Sequence, residues 1–122
     1  MDARNLRIGN WVVIDGSKEE ICDNIMFDYD EGAWYIDNRH ITLVKPIPLT
    51  EEWLLRFGFK REKEEHINNQ YRNNRMILEL DVNDKLTYSF GDADSVAVIY
   101  VNQLQNLYFA LTGEELEFNK LN

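Results

Sequence analysis

The sequence has little of what metal and redox chemistry require. Among 122 residues there are one cysteine and two histidines, so no internal disulfide can form and no CxxC pair is present. Cys22, His40 and His66 are scattered along the chain, whereas a structural zinc site normally uses four ligands. We therefore predict no metal site and no bound cofactor, and we expect Cys22 to be a small buried side chain.

Long apolar runs are also absent. No stretch of about 18 uninterrupted apolar residues occurs, so the sequence predicts no membrane-spanning helix. The first seven residues lack the basic patch and following apolar stretch of a secretory signal, and we expect a cytoplasmic protein with no membrane partner. Hydrophobic residues nevertheless make up 44% of the chain, which is enough for a folded core in one ordinary domain or two very small ones.

Basic residues are scarce. The chain has 13 Lys and Arg against 22 Asp and Glu, a net charge of −9, and the acidic excess is spread over both halves. A protein that binds nucleic acid usually neutralises phosphates with a basic stripe, but here Glu62 separates Lys60 and Arg61 from Lys63. We therefore expect no direct binding of duplex nucleic acid. Nucleotide-binding glycine loops and a serine nucleophile elbow are missing too, so we predict no catalytic residues and no enzyme.

The first 45 residues predict short strands joined by tight turns. Four strands are predicted, at residues 6–14, 19–27, 33–37 and 40–44. Asp15-Gly16 and Asn38-Arg39 are the expected turns, because these residue types accept the backbone conformations that tight turns need. In the last strand Ile41 and Leu43 would share one face. The pattern predicts an SH3-like small barrel or a curled sheet over residues 1–45.

A proline connector follows at residues 46–50, because Pro46 and Pro48 each remove a backbone donor. A short helix is predicted at 51–57, with Thr50 as its N-cap and Gly58 after its end. Its apolar residues Trp53, Leu54 and Phe57 should pack on a sheet.

A second antiparallel sheet is predicted after this helix. Strands are expected at residues 76–82, 86–90 and 96–101, with turns at 83–84 and 91–94. Alternation should bury Met76, Leu78, Leu80 and Val82. The continuous apolar run 96–101 predicts a central strand. Residues 60–74 are polar and loop-like, with room for one or two strands around Ile67 and Tyr71.

The last element is a helix at residues 103–111, capped by Asn102 and ended by Gly113. Its predicted buried stripe has the spacing i, i+3, i+4, i+7 and consists of Leu104, Leu107, Tyr108 and Leu111. The chain is thus predicted to be α+β with mostly antiparallel β-structure. It would comprise a small barrel-like subdomain at 1–45, the connector 46–50 and an α+β subdomain at 51–122 with two short helices, packed separately or as one compact unit.

Two groups of residues are candidates for interaction. Trp34 and Tyr35 are adjacent in a strand, so they point to opposite faces and cannot both enter a one-sided core. Phe109 should lie opposite the helix stripe, in an amide-rich surface with Gln105 and Asn106. Either another part of the chain covers Phe109, or its face is an interface to a protein partner or a second copy.

Three segments carry a resemblance to a known family. They are Leu6 to Val12, Pro46 to Leu54 with Gly58-Phe59, and Leu104 to Leu116, which reads LQNLYFALTGEEL. In this order and spacing they resemble a family of small uncharacterised proteins of Bacteroides-type gut bacteria and their phages and mobile elements. Members often have histidine where Asn102 stands. The resemblance implies a cytoplasmic or phage-associated accessory protein and supplies no catalytic residues.

These observations favour a non-catalytic interaction or assembly module, with a protein partner or self-association. The alternative is a nucleic-acid-related accessory protein. It would act through a local contact made by the barrel, or as an acidic mimic of DNA that occupies a DNA-binding protein.

Overall fold

The fold is mostly antiparallel β-structure with two α-helices. A computed structural model of the chain describes residues 1–16, 18–62, 69–81, 83–89 and 95–118. The strands are β1 (Trp11–Ile14), β2 (Lys18–Ile21), β3 (Ile25–Asp28), β4 (Ala33–Ile36), β5 (Arg39–His40), β6 (Val44–Lys45), β7 (Lys60–Glu62), β8 (Gln70–Arg72), β9 (Ile77–Leu80), β10 (Leu86–Ser89) and β11 (Ser95–Ala97). The helices are α1 (Glu51–Arg56) and α2 (Val101–Thr112). The predicted α+β class is confirmed.

The chain divides into two compact units. The first consists of Met1–Pro48 and Tyr100–Asn106, and the second of Leu49–Ile99 and Leu107–Asn122. The division after Pro48 falls inside the proline connector. The start of α2 belongs to the first unit, because its side chains bond residues more than 90 positions earlier, as Gln105 does with Trp11.

The first unit contains two three-stranded antiparallel sheets, ordered β2-β1-β6 and β3-β4-β5. The predicted β1–β2 hairpin is confirmed, with Asp15 and Gly16 at positive φ in its turn. The return strand is shorter than predicted. It ends at Ile21, because the backbone N–H groups of Asp23 and Asn24 bond the Asp37 carboxylate instead of a strand, and β3 then joins the other sheet.

Two further predictions for this unit are corrected. The second tight turn is Asp37-Asn38, both at positive φ, which is the two-residue hairpin turn between β4 and β5. Residues 40–44 do not form one continuous strand, since His40 ends β5 and Val44 begins β6. Ile41–Leu43 is a 3-10 turn, because His40 Nδ1 accepts the Thr42 N–H at 3.2 Å and caps it. Within the described residues no sheet closes into a barrel.

The core of the first unit lies between its strands. Its members are apolar side chains that are almost fully shielded from water: Leu6, Val12, Ile14, Cys22, Ile36 and Val44. The prediction that Cys22 is a small buried side chain is confirmed.

The second unit contains a five-stranded antiparallel sheet, ordered β11-β10-β9-β8-β7. Helix α1 begins as predicted, with the Thr50 hydroxyl accepting the Trp53 N–H at 3.4 Å, and Gly58 follows its end at φ +85°. Trp53, Leu54 and Phe57 are buried as predicted. The Phe118 ring also lies 5.4 Å from the Trp53 ring, so the C-terminal segment joins this aromatic cluster.

The strand pattern of this sheet is partly as predicted. Met76 and Leu78 are buried and Leu80 is half-buried, while Val82 and the turn at 91–94 lie outside the described residues. The turn at 83–84 is confirmed, since the Asp81 carboxylate accepts the N–H groups of Asn83 and Lys85. The loop-like stretch 60–74 contains β7 and β8, and Ile67 is not among the described residues.

The prediction of a central strand at 96–101 is wrong. β11 stops at Ala97, lies at the edge of the sheet and is exposed at all three residues. The apolar run continues, but Val98 is buried outside the strand and Val101 already starts α2. An apolar run can therefore pass from an edge strand into a helix without belonging to a sheet interior.

Helix α2 begins two residues earlier than predicted, and Asn102 is inside it rather than at its cap. The Gln103 side chain accepts the Tyr100 N–H at 3.0 Å, which is half of a capping box with the helix start at Val101. Leu104 and Tyr108 are buried as predicted, but Leu111 is exposed. The buried stripe is shifted and consists of Val101, Asn102, Leu104, Gln105 and Tyr108. Gly113, at φ +75°, follows the helix as predicted.

The α-helices of the described residues are short. None of them is long and apolar enough to cross a membrane.

Candidate functional site

An exposed aromatic cluster lies at the tip of the β3–β4 hairpin. Phe27 is paired with Trp34 across the two strands, and their ring centroids are 5.1 Å apart. The Tyr29 ring meets the Phe27 ring edge-on at 5.0 Å. Tyr29 is 89% exposed and Trp34 is 38% exposed. We call Phe27, Tyr29 and Trp34 the hairpin surface.

The alternation of β4 explains why this surface exists. Ile36 is buried in the core of the first unit. Trp34, two residues earlier on the same strand, lies on the same face of the sheet. The face that is buried at Ile36 therefore continues towards the turn as a partly exposed aromatic surface. Trp34 and Tyr35 point to opposite faces, as adjacent strand residues must.

Tyr35 is half-buried and engaged within the hairpin. Its hydroxyl donates a hydrogen bond to the Glu31 carboxylate, and its ring meets the His40 ring edge-on at 5.5 Å. The hydrogen bond to Glu31 raises the pKa of Tyr35, because ionisation would remove the donated proton and add a second negative charge. Tyr35 therefore supports the turn from the face opposite Trp34.

The turn itself is acidic. The Asp28 carboxylate accepts the N–H groups of Asp30 at 2.9 Å and Glu31 at 3.1 Å, and Gly32 takes the positive φ that closes the turn. Asp28, Asp30 and Glu31 thus give the β3–β4 turn three carboxylates, of which Glu31 bonds Tyr35 on the face opposite Trp34. The tip of the hairpin therefore carries both the exposed rings and negative charge.

Gln105 is not at the surface, although the helical periodicity places it there. It is 3% exposed. Its Oε1 accepts the Trp11 N–H at 2.9 Å, and its Nε2 donates to the Gly9 carbonyl at 3.0 Å. The side chain therefore satisfies two backbone groups of the loop that leads into β1.

Asn106 belongs to the same network and is half-buried. Its Oδ1 accepts from Asn10 Nδ2 at 2.8 Å and from Arg7 Nε at 3.0 Å, and its Nδ2 donates to the Asn5 carbonyl at 2.9 Å. Asn102 Nδ2 donates to the same carbonyl at 3.2 Å. These amides hold the loop before β1 on α2, so we assign them a structural role.

Phe109 differs from these amides in exposure. It is 40% exposed on α2, so the ring is neither fully buried nor fully open to solvent. The five predicted interaction residues are distributed over two elements: Trp34 and Tyr35 lie on β4, and Gln105, Asn106 and Phe109 lie along α2.

Tyr29 and Phe27 are members of the hairpin surface that the sequence analysis missed. Tyr29 lies within a polar turn sequence, where an aromatic residue has no periodic pattern to mark it. Its position next to Phe27 and near Trp34 follows only from the pairing of β3 with β4. An aromatic residue in an otherwise acidic turn is the signal that could have indicated it.

The described residues contain no group of three or more His, Cys, Asp or Glu side chains placed to hold a metal ion. Cys22 is fully buried. The pKa of its thiol is raised to about 11. Burial is the larger cause, and the negative charge of Asp37 is the second. The thiol is therefore neutral near pH 7 and lacks the ionised form that a nucleophile or metal ligand needs.

Comparisons with known proteins leave the function to be argued from this geometry. Searches of protein-family models, of curated proteins and of solved structures each gave no match.

Proposed function

We propose that the protein is a non-catalytic interaction module that contacts a protein partner through the hairpin surface. The observation that carries this proposal is the exposed aromatic cluster of Phe27, Tyr29 and Trp34. Tyr and Trp are enriched at protein interfaces, where they supply much of the binding energy when they become buried. Tyr29, which is 89% exposed and meets the Phe27 ring edge-on, contributes little to the core of the first unit.

The charge around the rings indicates the kind of partner. Asp28, Asp30 and Glu31 would repel the phosphates of a nucleic acid, and no cation lies among them in the turn. A protein surface with basic residues around an apolar contact would be complementary to this arrangement. A protein partner is therefore favoured over direct binding of duplex nucleic acid.

The resemblance and the architecture complete the proposal. The similar family suggests an accessory protein encoded by a phage or a mobile element and acting in the cytoplasm. We interpret the two small sheets of the first unit as an SH3-like arrangement, in which the β3–β4 hairpin is the projecting element that a partner can reach.

Replacing Trp34 by alanine is expected to remove the partner without unfolding the protein. Tagged wild-type protein and the Trp34→Ala variant would be used for affinity capture from Bacteroides-type cells, followed by quantitative mass spectrometry. Losing an aromatic anchor costs about 2 kcal/mol or more of binding energy, about thirtyfold in affinity. The specific partner should therefore be strongly depleted with Trp34→Ala.

Phe109→Ala is the matched control, because it removes another partly exposed aromatic ring from the second unit. It should capture the same partner as the wild type. Equal capture by Trp34→Ala and wild type, or loss of capture with Phe109→Ala alone, would contradict the proposed surface. Analytical ultracentrifugation of all three proteins would show whether the partner is a second copy of the chain.

A further inference from the structure

The first unit also contains a groove at the opposite end of the β3–β4 strands from the hairpin tip. Its volume is about 650 Å³. Trp11 and Ile21, directly paired across β1 and β2, line it on one side, and Ile21 is 43% exposed. The link after β2 and the β4–β5 turn line the other side. We call this the Trp11 groove and define it by Trp11, Glu19, Ile21, Asp23 and Asp37.

The rim of the Trp11 groove carries uncompensated negative charge. Glu19 and Asp23 are exposed, and neither carboxylate forms an ion pair with any described residue. Arg39, the cation at the rim, is already paired with Glu20 at 2.7 Å and lies 3.4 Å from Asp15. Trp11 and Ile21 thus lie beside two carboxylates that have no cation of their own among the described residues.

Asp37 adds a fixed negative charge at one wall. Its carboxylate accepts the backbone N–H groups of Asp23 at 3.1 Å and Asn24 at 2.8 Å, which holds it in place. The pKa of the buried Cys22 thiol is raised mainly by desolvation. The negative charges of Asp37 and Asp23 are smaller causes of the same increase. The negative potential therefore extends from the rim into the neighbouring core.

Among the described residues, these carboxylates do not belong to any group of three or more side chains placed to hold a metal ion. The matching ligand must therefore combine positive charge with apolar surface that can lie on Trp11 and Ile21. A lysine or arginine side chain meets this requirement, because its aliphatic stem can cover an apolar surface while its charged end stays at the rim.

We infer that the Trp11 groove binds a lysine- or arginine-bearing peptide segment of a protein partner. The apolar stem of the basic side chain lies on Trp11 and Ile21, and its cation is held by Glu19 and Asp23. This inference concerns a different surface from the hairpin surface and does not depend on it. A partner of the hairpin surface could supply the segment, but a basic peptide alone should bind.

Fluorescence anisotropy with a labelled decapeptide of alternating lysine and alanine tests this inference with the full chain at physiological ionic strength. An arginine–alanine peptide and a glutamate–alanine peptide serve as the other probes. We expect both basic peptides to bind and the acidic peptide to show no binding. The double variant Glu19→Gln/Asp23→Asn should bind the basic peptides about tenfold more weakly, as expected for two exposed charge contacts.

The control is a double variant that removes the same charge from the second unit, Asp84→Asn/Glu117→Gln. Both residues are exposed, and asparagine accepts the positive φ at position 84. This control should bind like the wild type. Equal weakening in both double variants would mean diffuse attraction to an acidic protein and would overturn the inference, as would absence of binding by both basic peptides.

The side-chain NMR signals of the three tryptophans locate the contact. The indole N–H signal of Trp11 should shift on adding the lysine peptide, whereas that of Trp53 should not. A shift at Trp34 without one at Trp11 would also overturn the inference. Trp34→Ala should leave peptide binding unchanged, so failure of the hairpin proposal and failure of the groove proposal give different results.

Discussion

Replacing Gln105 by leucine is expected to lower the free energy of unfolding by about 3 kcal/mol, with a range of about 2–5. The substitution keeps the size of the side chain but removes both of its polar ends. The Trp11 N–H and the Gly9 carbonyl then lose their partners at 2.9 Å and 3.0 Å. Each of these partly buried backbone groups costs up to about 1–3 kcal/mol when it loses its partner. Chemical denaturation followed by circular dichroism measures the sum.

Gln70→Leu is the matched control for this prediction. Gln70 lies on β8, where its amide donates to Glu79 at 3.4 Å and its carbonyl accepts from Arg72 at 3.3 Å near the surface. Its replacement should change the free energy of unfolding by less than about 1 kcal/mol. A similar small effect at Gln105 would show that the amide network does not hold the loop before β1.

Replacing Phe59 by alanine should destabilise the second unit strongly. Phe59 is 1% exposed and is among the largest fully buried side chains of the described residues. Its removal combines lost burial with a cavity that neighbouring side chains cannot fill, a change that typically costs about 3–5 kcal/mol. The midpoint of chemical unfolding should fall accordingly.

The same substitution at Phe109 provides the comparison. Phe109 is 40% exposed on α2, and alanine has a higher helix propensity than phenylalanine. We therefore expect Phe109→Ala to cost less than about 1.5 kcal/mol. If Phe109→Ala were as destabilising as Phe59→Ala, the ring would be held within the chain much more tightly than its exposure indicates.

Local features of the fold could be predicted from the sequence because neighbouring residues determine them. The β1–β2 turn follows from Asp15-Gly16, and α1 follows from the Thr50 cap and Gly58. Both depend on backbone conformations and hydrogen bonds within a few residues. Those predictions required no knowledge of the tertiary structure.

The start of α2 shows what the sequence does not reveal. Helical periodicity places Gln105 on an exposed face, and Asn102 is predicted as the cap, yet both are buried. They are buried because Asn102 donates to the Asn5 carbonyl and Gln105 accepts the Trp11 N–H, and these partners are more than 90 positions away in the chain. Burial of a polar side chain follows from the partner it meets, which hydrophobic patterning does not encode.

Sheet order is a second property that the strand pattern does not encode. The apolar run at 96–101 predicts a central strand, but β11 is an edge strand because only β10 pairs with it among the described strands. The hairpin surface, too, can be predicted only in part from the strand pattern. Trp34 could be identified from its adjacency to Tyr35, whereas its cluster with Phe27 and Tyr29 depends on the β3–β4 register.

The most direct test of the hairpin surface is photo-crosslinking from position 29. A benzophenone side chain would replace Tyr29, which is 89% exposed, and a second protein would carry it at Ile77 on β9, an exposed apolar position in the other unit. Both proteins would be irradiated in cells of the organism that encodes the protein. Our account predicts a discrete crosslinked adduct from position 29 and none from position 77. An adduct from position 77 alone, or none from position 29, would contradict it.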